Sequence, residues 1–317
     1  MKISGFTFLR NASKLYYPFR ESILSILPLV DELIIMLGAG DEDDHTEEVI
    51  QAIQSPKIKI FHSVWNISEY PGGTEYAHQT DMAKERCTGD WLIYLQGDEV
   101  IHEDDYEAIH SACLANLSNH KVEGFVFDYL HFWGDYDHYF RNHTWYKKEI
   151  RIIRNLPEIH SWRDAQSFRW IPDFTAKDYR RKKNTRVLNC IGLHAKIFHY
   201  GWVRPPSMMA NKNIAASAIY SGNIHSLYQN QFDYGRMDRT KLFGGHHPAA
   251  MMKKIKELNW QGHLRYSGPI AINRPLMKHE RWKYRFLSFI EEKVLGGVML
   301  GGFKNYRMLN KSIKTRI

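Results

Sequence analysis

Strand-like runs alternate with helix-like segments through the first hundred residues, and this order constrains the fold more than any other feature. The strand-like runs are rich in apolar and β-branched residues, whereas the segments between them carry apolar residues at helical spacing. The strand-like runs are residues 3–9, 33–37, 58–61 and 91–95. The helix-like segments between them are residues 18–30, 44–53 and 76–87. This alternation predicts an α/β fold with a doubly wound, mostly parallel sheet flanked by helices and a site along the carboxyl edge of the strands.

Two adjacent carboxylates follow the fourth strand-like run. Residues 91–95 are wholly apolar, and Gln96, Gly97, Asp98 and Glu99 follow directly. Carboxylates at the end of a buried strand hold hard cations such as Mg²⁺ or Mn²⁺, which in turn bind phosphate oxygens. An acidic pair after a strand can also be an ordinary turn or helix cap. The alternating elements before this pair favour the cation site.

Several motifs within residues 3–205 carry a resemblance to a known family. They are the first strand ending near Arg10-Asn11, the acidic loop after the second strand, the Gly-Gly-x-x-x-Ala-x-x-x-x-x-Ala pattern of residues 72–83, and residues 83–91 leading to Gln96-Gly97-Asp98-Glu99. Together they resemble a family 2 glycosyltransferase of the GT-A fold, in a bacterial subgroup with a Gln-Gly-Asp-Glu motif. The Asp-x-Asp metal motif of the family aligns with Gln96-Gly97-Asp98, so Gln96 stands in place of the first acid.

The resemblance implies transfer of a sugar from a nucleotide-sugar donor, with inversion and with Mn²⁺ or Mg²⁺. Asp98 is then the metal ligand, and Gln96 lies beside it in the donor site. Glu99 either supports Asp98 or orients the donor sugar. Such a transfer must stabilise charge on the departing phosphate and deprotonate an acceptor hydroxyl. A cation and one base are therefore the minimum parts.

The nucleoside end of the donor has its own candidates. By the same resemblance Asp41, in the loop after the second strand, contacts the base or ribose. Arg10 and Asn11 follow the first strand, where they would touch the nucleoside, although turn residues are equally common there. These three residues are predicted to bind the donor.

A general base is expected some tens of residues after the metal motif. Residues 159–170 concentrate ionisable and aromatic side chains between two strand-like runs, and Asp164 is our candidate. Glu158 is a weaker candidate. His160 is an alternative because the pKa of an unperturbed histidine lies near neutrality, but a hydrogen-bonded loop histidine is the more ordinary role.

Residues 197–206 contain the second specific signal. A short apolar strand leads to His199, and Arg204 precedes a double proline that ends the catalytic core. A late histidine in this position resembles one that completes the metal shell in GT-A enzymes. We therefore expect His199, with His194 as the alternative, at the metal, and Arg204 at the diphosphate.

Aromatic residues are dense in residues 125–146. Flat rings stack on pyranose faces, so Trp133, Tyr136 and Trp145 are candidates for sugar contact, while many of their neighbours must belong to the core. These observations predict a GT-A domain over residues 1–206 and a helical C-terminal extension over residues 207–317 that packs on it. Helices are expected near residues 208–220, capped by Ser207, and 249–258.

Positive charge is concentrated in the tail. Residues 276–317 hold ten Lys/Arg and three Asp/Glu, which is +7 of the net +8 of the chain. Trp282, Phe286, Phe289, Ile290 and Val294 lie there at helical spacing. This stripe can pack on the catalytic domain, which we expect, or lie on an anionic membrane. A nucleic-acid partner is not expected because no recognisable binding module accompanies the charge.

The composition of the chain indicates where in the cell the protein is expected to act. The chain has 317 residues, is 44% hydrophobic and contains no apolar run of about 20 residues, and we expect no secretory leader. Three cysteines without metal spacing indicate buried thiols in a reducing, cytoplasmic environment. The basic tail keeps peripheral contact with the inner membrane face as an alternative. We expect a glycosyltransferase of surface polysaccharide synthesis that acts on a glycan or lipid-linked acceptor. The alternative is a catalytically inactive sugar-nucleotide or glycan-binding relative.

Overall fold

The first ninety-four residues build the parallel half of one large sheet. A computed structural model describes residues 1–221, 230–268, 274–301 and 304–309. The elements are β1 (Ile3–Leu9), α1 (Phe19–Ile26), β2 (Glu32–Gly38), α2 (Thr46–Gln51), β3 (Ile58–Ser63), α3 (Thr74–Lys84) and β4 (Trp91–Tyr94). The four strands are parallel in the order β3-β2-β1-β4. The predicted strands and the α/β class are confirmed.

The following segment extends the sheet with antiparallel pairs. Its elements are β5 (Glu99–Ile101), α4 (Tyr106–Ala115), β6 (Gly124–Trp133), β7 (His138–Phe140), β8 (Lys148–Arg154), β9 (Ile159–Trp162), β10 (Ser167–Trp170) and β11 (Leu188–Trp202). Strand β8 lies antiparallel between β4 and β6. Strand β11 runs parallel to β6 and antiparallel to β5, whereas β9 and β10 form a separate hairpin.

The segment after residue 205 contains both helices and strands. It comprises α5 (Pro206–Ser221), β12 (Lys241–Leu242), α6 (Met252–Lys256), α7 (Trp282–Phe289) and β13 (Tyr306–Met308). Strand β12 pairs with β7, and β13 pairs with β11, so the extension also contributes to the sheet. Helix α5 confirms the predicted helix but begins at Pro206, so Ser207 lies inside it and is not its cap. Residues 249–251 are a 3₁₀ turn before the short α6.

Helix α2 begins two residues later than predicted. The predicted start was Asp44, but the residue that precedes the helix is His45. The Asp44 carboxylate instead accepts a hydrogen bond from the backbone N–H of Lys14, and the Thr46 hydroxyl accepts one from that of Ala12. These side chains therefore stabilise the loop after β1, which local sequence signals do not reveal.

The core divides over the two faces of the sheet and an aromatic cluster. Helices α1 and α4 cover one face, and α3 covers the other. The aromatic cluster joins β6 and β11 to residues 232–264, and Trp133 and Tyr136 are buried in it. The prediction that these two rings contact a sugar is therefore wrong, because both are fully used in packing. Trp145 is half-buried and stacks on Phe140.

The structure bears on three further predictions made from the sequence. All three cysteines are buried free thiols, as predicted. In the described part of the chain, no helix combines the length and apolar character needed to cross a bilayer. Trp282, Phe286, Phe289 and Val294 of the predicted stripe are exposed and Ile290 is half-buried, so the expected packing of the stripe on the catalytic domain is wrong for four of its five residues. The opposite face of α7 makes the contacts with the domain.

The central strand β4 provides a stability test. Ile93 is fully buried between the neighbouring strands β1 and β8. We expect Ile93→Ala to lower the free energy of unfolding by about 2–5 kcal/mol because it leaves a cavity. The control Leu114→Ala, at a half-exposed position on α4, should change it by less than about 0.5 kcal/mol. Urea denaturation measures both, and equal losses would contradict the central position of β4.

Candidate active site

The ends of β4, β5 and β11 meet at the candidate site. Strand β4 runs into a turn, after which Asp98 precedes β5 and Glu99 begins it. The antiparallel register of β5 and β11 sets Glu99 opposite His199, and the parallel register of β6 and β11 sets His131 opposite His199. Sheet registers fix these neighbours at short range although they are distant in sequence. The two predicted metal ligands therefore lie side by side.

Asp98 is a buried carboxylate in a positively charged setting. Its Oδ2 lies 3.8 Å from Nε2 of His199 and 3.6 Å from Nζ of Lys212. Burial opposes ionisation of Asp98, but its interactions with neighbouring basic groups, including Lys212 and Arg204, outweigh burial and lower its pKa. Asp98 is therefore an anion near neutral pH.

Gly201 lies directly against the Asp98–His199 pair. A Cβ atom at Gly201 would lie 2.5 Å from Nε2 of His199 and 2.6 Å from Oδ2 of Asp98. Both distances are shorter than any normal contact, so only glycine leaves this space open. The backbone of β11 thus approaches both polar side chains closely.

A chain of two histidines fixes the protonation of His199. Nε2 of His131 lies 2.8 Å from the carbonyl oxygen of Tyr146, which can only accept, so this nitrogen carries a hydrogen. The two Nδ1 atoms lie 3.0 Å apart, and burial lowers the pKa of both rings. Neutral His131 therefore accepts from Nδ1–H of His199. Nε2 of His199 is left with a lone pair facing Asp98, as in a metal-binding histidine.

Glu99 is a buried supporting residue. Its oxygens accept hydrogen bonds from Nε and Nη2 of Arg151 at 2.7 and 2.8 Å, and from the Tyr129 hydroxyl at 2.9 Å. It also accepts from the backbone N–H of Gln96 at 3.2 Å. Of the two roles predicted for Glu99, this geometry matches support of the Asp98 turn.

Gln96 links the Asp98 turn to the loop that carries Asp164. Its amide nitrogen lies 3.2 Å from the carbonyl oxygen of Ala165 and 3.4 Å from the Tyr94 hydroxyl. Arg163 and Ala165 both have a φ of 61°, a conformation that costs energy in residues other than glycine. The Gln96 hydrogen bond therefore helps hold Asp164 between two strained residues. A carboxylate at position 96 has no hydrogen to donate to this carbonyl.

Asp164 also contacts helix α5. The Tyr220 hydroxyl donates to Oδ2 of Asp164 at 2.7 Å, and burial followed by the charge of Asp164 raises the pKa of Tyr220. The Tyr220 ring lies against Gly73 at the start of α3 and packs edge-on to Tyr76. Asp164 is thus held by the Tyr220 hydroxyl on one side and by the loop that Gln96 holds on the other.

Arg204 is fully buried, and no side chain among the described residues forms a direct ion pair with its guanidinium. In the described part of the chain, Nε, Nη1 and Nη2 have no hydrogen-bond partner. The guanidinium lies over the Tyr17 ring at 4.4 Å. A buried, unpaired guanidinium is costly for a folded protein, and its planar set of five N–H donors matches phosphate oxygens. The chemistry of this site suits an anionic ligand.

Lys212 of α5 is a second cation in the site. Its Nζ donates to the carbonyl oxygen of Gly201 at 2.6 Å and lies near the rings of Tyr17 and Trp202. Burial, together with repulsion from Arg204, lowers the pKa of Lys212 to about 7. Sequence patterns missed Lys212 and Tyr220 because both belong to a helix assigned to the extension.

Arg10, Asn11 and Asp41 meet at the ends of β1 and β2. The side-chain oxygen of Asn11 accepts from the backbone N–H of Asp41 at 2.8 Å, and Nε of Arg10 donates to the carbonyl oxygen of Ala39. The Arg10 guanidinium lies 5.2 Å from the Trp65 ring. Oδ2 of Asp41 contacts Lys14 at 2.8 Å, and this hydrogen bond lowers the pKa of Asp41. These residues form a partly exposed edge at the ends of β1, which pairs with β4, and of β2, which lies beyond β1.

The alternative candidates lie in other settings. His160 pairs with Asp81 at 2.9 Å and stacks on Phe174, so it is hydrogen-bonded as expected, but it lies in strand β9 and not in a loop. His194 is exposed on β11, whereas His199 is buried beside Asp98. Glu158 is half-buried ahead of β9.

Comparisons with known proteins find similarity only among solved structures. No protein-family model matches the sequence, and no curated protein matches it. The chain is similar to S. aureus TarS 1-349 in complex with UDP-GlcNAc, at 17% identity and a TM-score of 0.29, covering 42% of this chain and 35% of that one. It is also similar to S. aureus TarS, at 14% identity and a TM-score of 0.37, covering 69% of this chain and 39% of that one. A third similar structure is S. aureus TarS 1-349, at 12% identity and a TM-score of 0.36, covering 69% of this chain and 65% of that one. The chain thus spans less than two thirds of each TarS chain.

The Gln96 link can be tested without an activity assay. Gln96→Glu keeps the side-chain shape but removes the hydrogen donated to Ala165, a loss of about 1 kcal/mol. We expect roughly fivefold faster hydrogen exchange in the peptide covering residues 159–170. The exposed Gln54→Glu variant is the control and should leave this peptide unchanged. Unchanged exchange in Gln96→Glu would show that the loop is held without Gln96.

Proposed function

We propose that this protein is a glycosyltransferase that moves a sugar from a nucleotide-sugar donor to a glycan or lipid-linked acceptor in surface polysaccharide synthesis. The unpaired, fully buried Arg204 beside Lys212 and Asp98 carries this proposal. Glycosyl transfer from such a donor releases a nucleoside diphosphate, whose charge must be stabilised as the bond breaks. Two buried cations next to a carboxylate suit that leaving group.

The diphosphate would bind against Arg204 and Lys212. The guanidinium offers planar, paired N–H donors to phosphate oxygens, and Lys212 adds a charge that a neighbouring anion favours. Binding of an anion would relieve the repulsion that lowers the pKa of Lys212. Arg10, Asn11 and Asp41 would contact the nucleoside.

Asp98 and His199 fit a divalent cation. A carboxylate oxygen and a histidine lone pair face each other across 3.8 Å, which is unfavourable without a positive charge between them. In the described residues, no group of three or more His, Cys, Asp and Glu side chains converges, so phosphate oxygens and waters would complete the shell. Bound Mn²⁺ or Mg²⁺ would offset the charge growing on the leaving diphosphate.

Asp164 would act as the general base. The acceptor oxygen forms a bond to the anomeric carbon while the bond from that carbon to the diphosphate oxygen breaks, and the acceptor proton passes to Asp164. A single displacement of this kind inverts the anomeric centre. The Tyr220 hydroxyl and the Gln96 link would keep the carboxylate oriented.

A catalytically inactive relative that binds sugar nucleotides or glycans is the second candidate. Gln96 favours it, because the first acid of the family motif is absent and the amide is engaged by Ala165. The two candidates differ in turnover and agree in donor binding. Wild-type protein that binds a nucleoside diphosphate but never consumes its sugar conjugate would support the second.

Replacing Arg204 should affect the stability of the ligand-free protein and its affinity for nucleotides in opposite directions. Arg204→Met removes a buried, unpaired charge, so we expect the ligand-free protein to keep or gain thermal stability. The same change should weaken nucleoside diphosphate binding at least about tenfold, because it removes charge-assisted hydrogen bonds of about 1.5–3 kcal/mol each. Thermal unfolding with UDP, GDP, CDP, dTDP and ADP, each with and without Mn²⁺, measures both effects.

The matched control is the exposed Arg86→Met, which should leave ligand-induced stabilisation unchanged. Wild-type protein without a shift from any nucleotide would contradict donor binding. A large loss of ligand-free stability in Arg204→Met would show that the guanidinium is structural.

Replacing Asp164 should reduce turnover without reducing nucleotide binding. We expect Asp164→Asn to retain the thermal shift caused by the nucleotide that stabilises the wild type, and to reduce turnover of the nucleotide sugar by at least about 100-fold, because the amide cannot accept the proton. Asp173→Asn, at an exposed position nearby with a φ of 50° that asparagine tolerates, is the control. Full turnover in Asp164→Asn would assign the base elsewhere.

A further inference from the structure

Helix α7 contacts the catalytic domain through one polar face. His143 accounts for two of these contacts: its backbone N–H donates to the Ser288 hydroxyl at 3.1 Å, and its Nδ1 lies 2.7 Å from Oε1 of Glu291. Nζ of Lys147 lies 3.3 Å from Oε2 of Glu291, and the His143 and Tyr284 rings stack. Glu291 is only 1% exposed. These contacts set the rotation of α7 about its axis.

The opposite face of α7 is aromatic and exposed. Trp282, Phe286 and Phe289 are 79%, 57% and 58% exposed, and their spacing of four and three residues places them on one stripe. Val294, in the π-helical turn that continues α7, is also exposed. Three large rings in one exposed stripe indicate a surface that meets another apolar phase or partner.

Basic side chains surround this stripe. Arg281, Lys283, Arg285 and Lys293 are exposed around it. Of the three acids in residues 276–301, Glu280 and Glu291 are buried in ion pairs with Arg274 and with His143 and Lys147. Glu292 is exposed and contacts Lys241. The exposed charge on this face is therefore predominantly positive.

Neighbouring cations add to this positive charge. Burial and repulsion from Arg285 lower the pKa of Arg239. Cations that repel one another in the free protein indicate a surface suited to an anionic counterpart.

We propose that the α7 face, defined by Trp282, Phe286, Phe289 and the basic residues Arg281, Lys283, Arg285 and Lys293, binds the surface of an anionic lipid bilayer. Aromatic rings beside lysine and arginine match the apolar-to-headgroup boundary, where rings enter the acyl region and cations meet lipid phosphates. A second copy of this face would bring like charges together, so charge complementarity favours lipid over self-association. This inference concerns where the protein acts and does not depend on the transfer chemistry.

Vesicle sedimentation tests the proposal with the full-length protein. We expect binding to phosphatidylcholine vesicles that contain 30% phosphatidylglycerol, little binding to pure phosphatidylcholine, and a loss of at least about tenfold between low and high salt. The Trp282→Ser/Phe286→Ser/Phe289→Ser variant and the Lys283→Glu/Arg285→Glu variant should each bind at least tenfold less. The triple variant Val64→Ser/Leu114→Ser/Met252→Ser changes exposed apolar residues elsewhere and should bind like wild type.

Two outcomes would overturn the proposal. One is wild-type protein that does not bind anionic vesicles, and the other is equal binding by the α7 variants and the control. A change in oligomeric state of the α7 variants on size exclusion, without vesicle binding by wild type, would assign the face to self-association instead. The thermal shift caused by the nucleotide that stabilises the wild type should survive in the α7 variants, so failure of membrane binding stays distinct from failure of donor binding.

Discussion

The buried ion pair between Glu99 and Arg151 organises the candidate site. Arg151 donates to both oxygens of Glu99 and to the carbonyl oxygen of Gln166 at 2.9 Å, which joins β5 and β8 to the loop after β9. Glu99 also receives the backbone N–H of Gln96. The turn with Asp98 and the loop with Asp164 are therefore held by one pair, and loss of either partner would leave a buried charge unpaired.

Charge within the site is unbalanced in a way that a ligand would correct. Arg204 and Lys212 face Asp98, and the protein supplies no further anion to the Arg204 guanidinium in its described residues. Most buried charges in proteins are paired, so an exception points to a missing counterpart. The C-terminal segment takes part on both sides of the molecule, because α5 brings Lys212 and Tyr220 to the site and α7 presents its aromatic face to solvent.

Local patterns predicted the strands and the position of Asp98 well. Apolar runs such as residues 91–95 are buried because they are covered on both faces, and acids at their carboxyl ends reach the site edge as a consequence of parallel topology. The same patterns placed the start of α2 two residues early and assigned the buried Trp133 and Tyr136 to a ligand. Both errors arise from distant partners: the loop after β1 uses Asp44 and Thr46, and the C-terminal segment buries the two rings.

The sequence by itself determined the α/β class, the strand that presents Asp98, the candidacy of His199 and Arg204, and the basic aromatic character of the tail. Periodicity and residue chemistry are local properties, so a single chain displays them. Only the tertiary structure decided that His199 meets Asp98 with its lone pair, that Gln96 holds the Asp164 loop, that Lys212 joins the site, and which face of α7 is exposed. These depend on strand register and helix rotation, which arise from contacts between residues far apart in sequence.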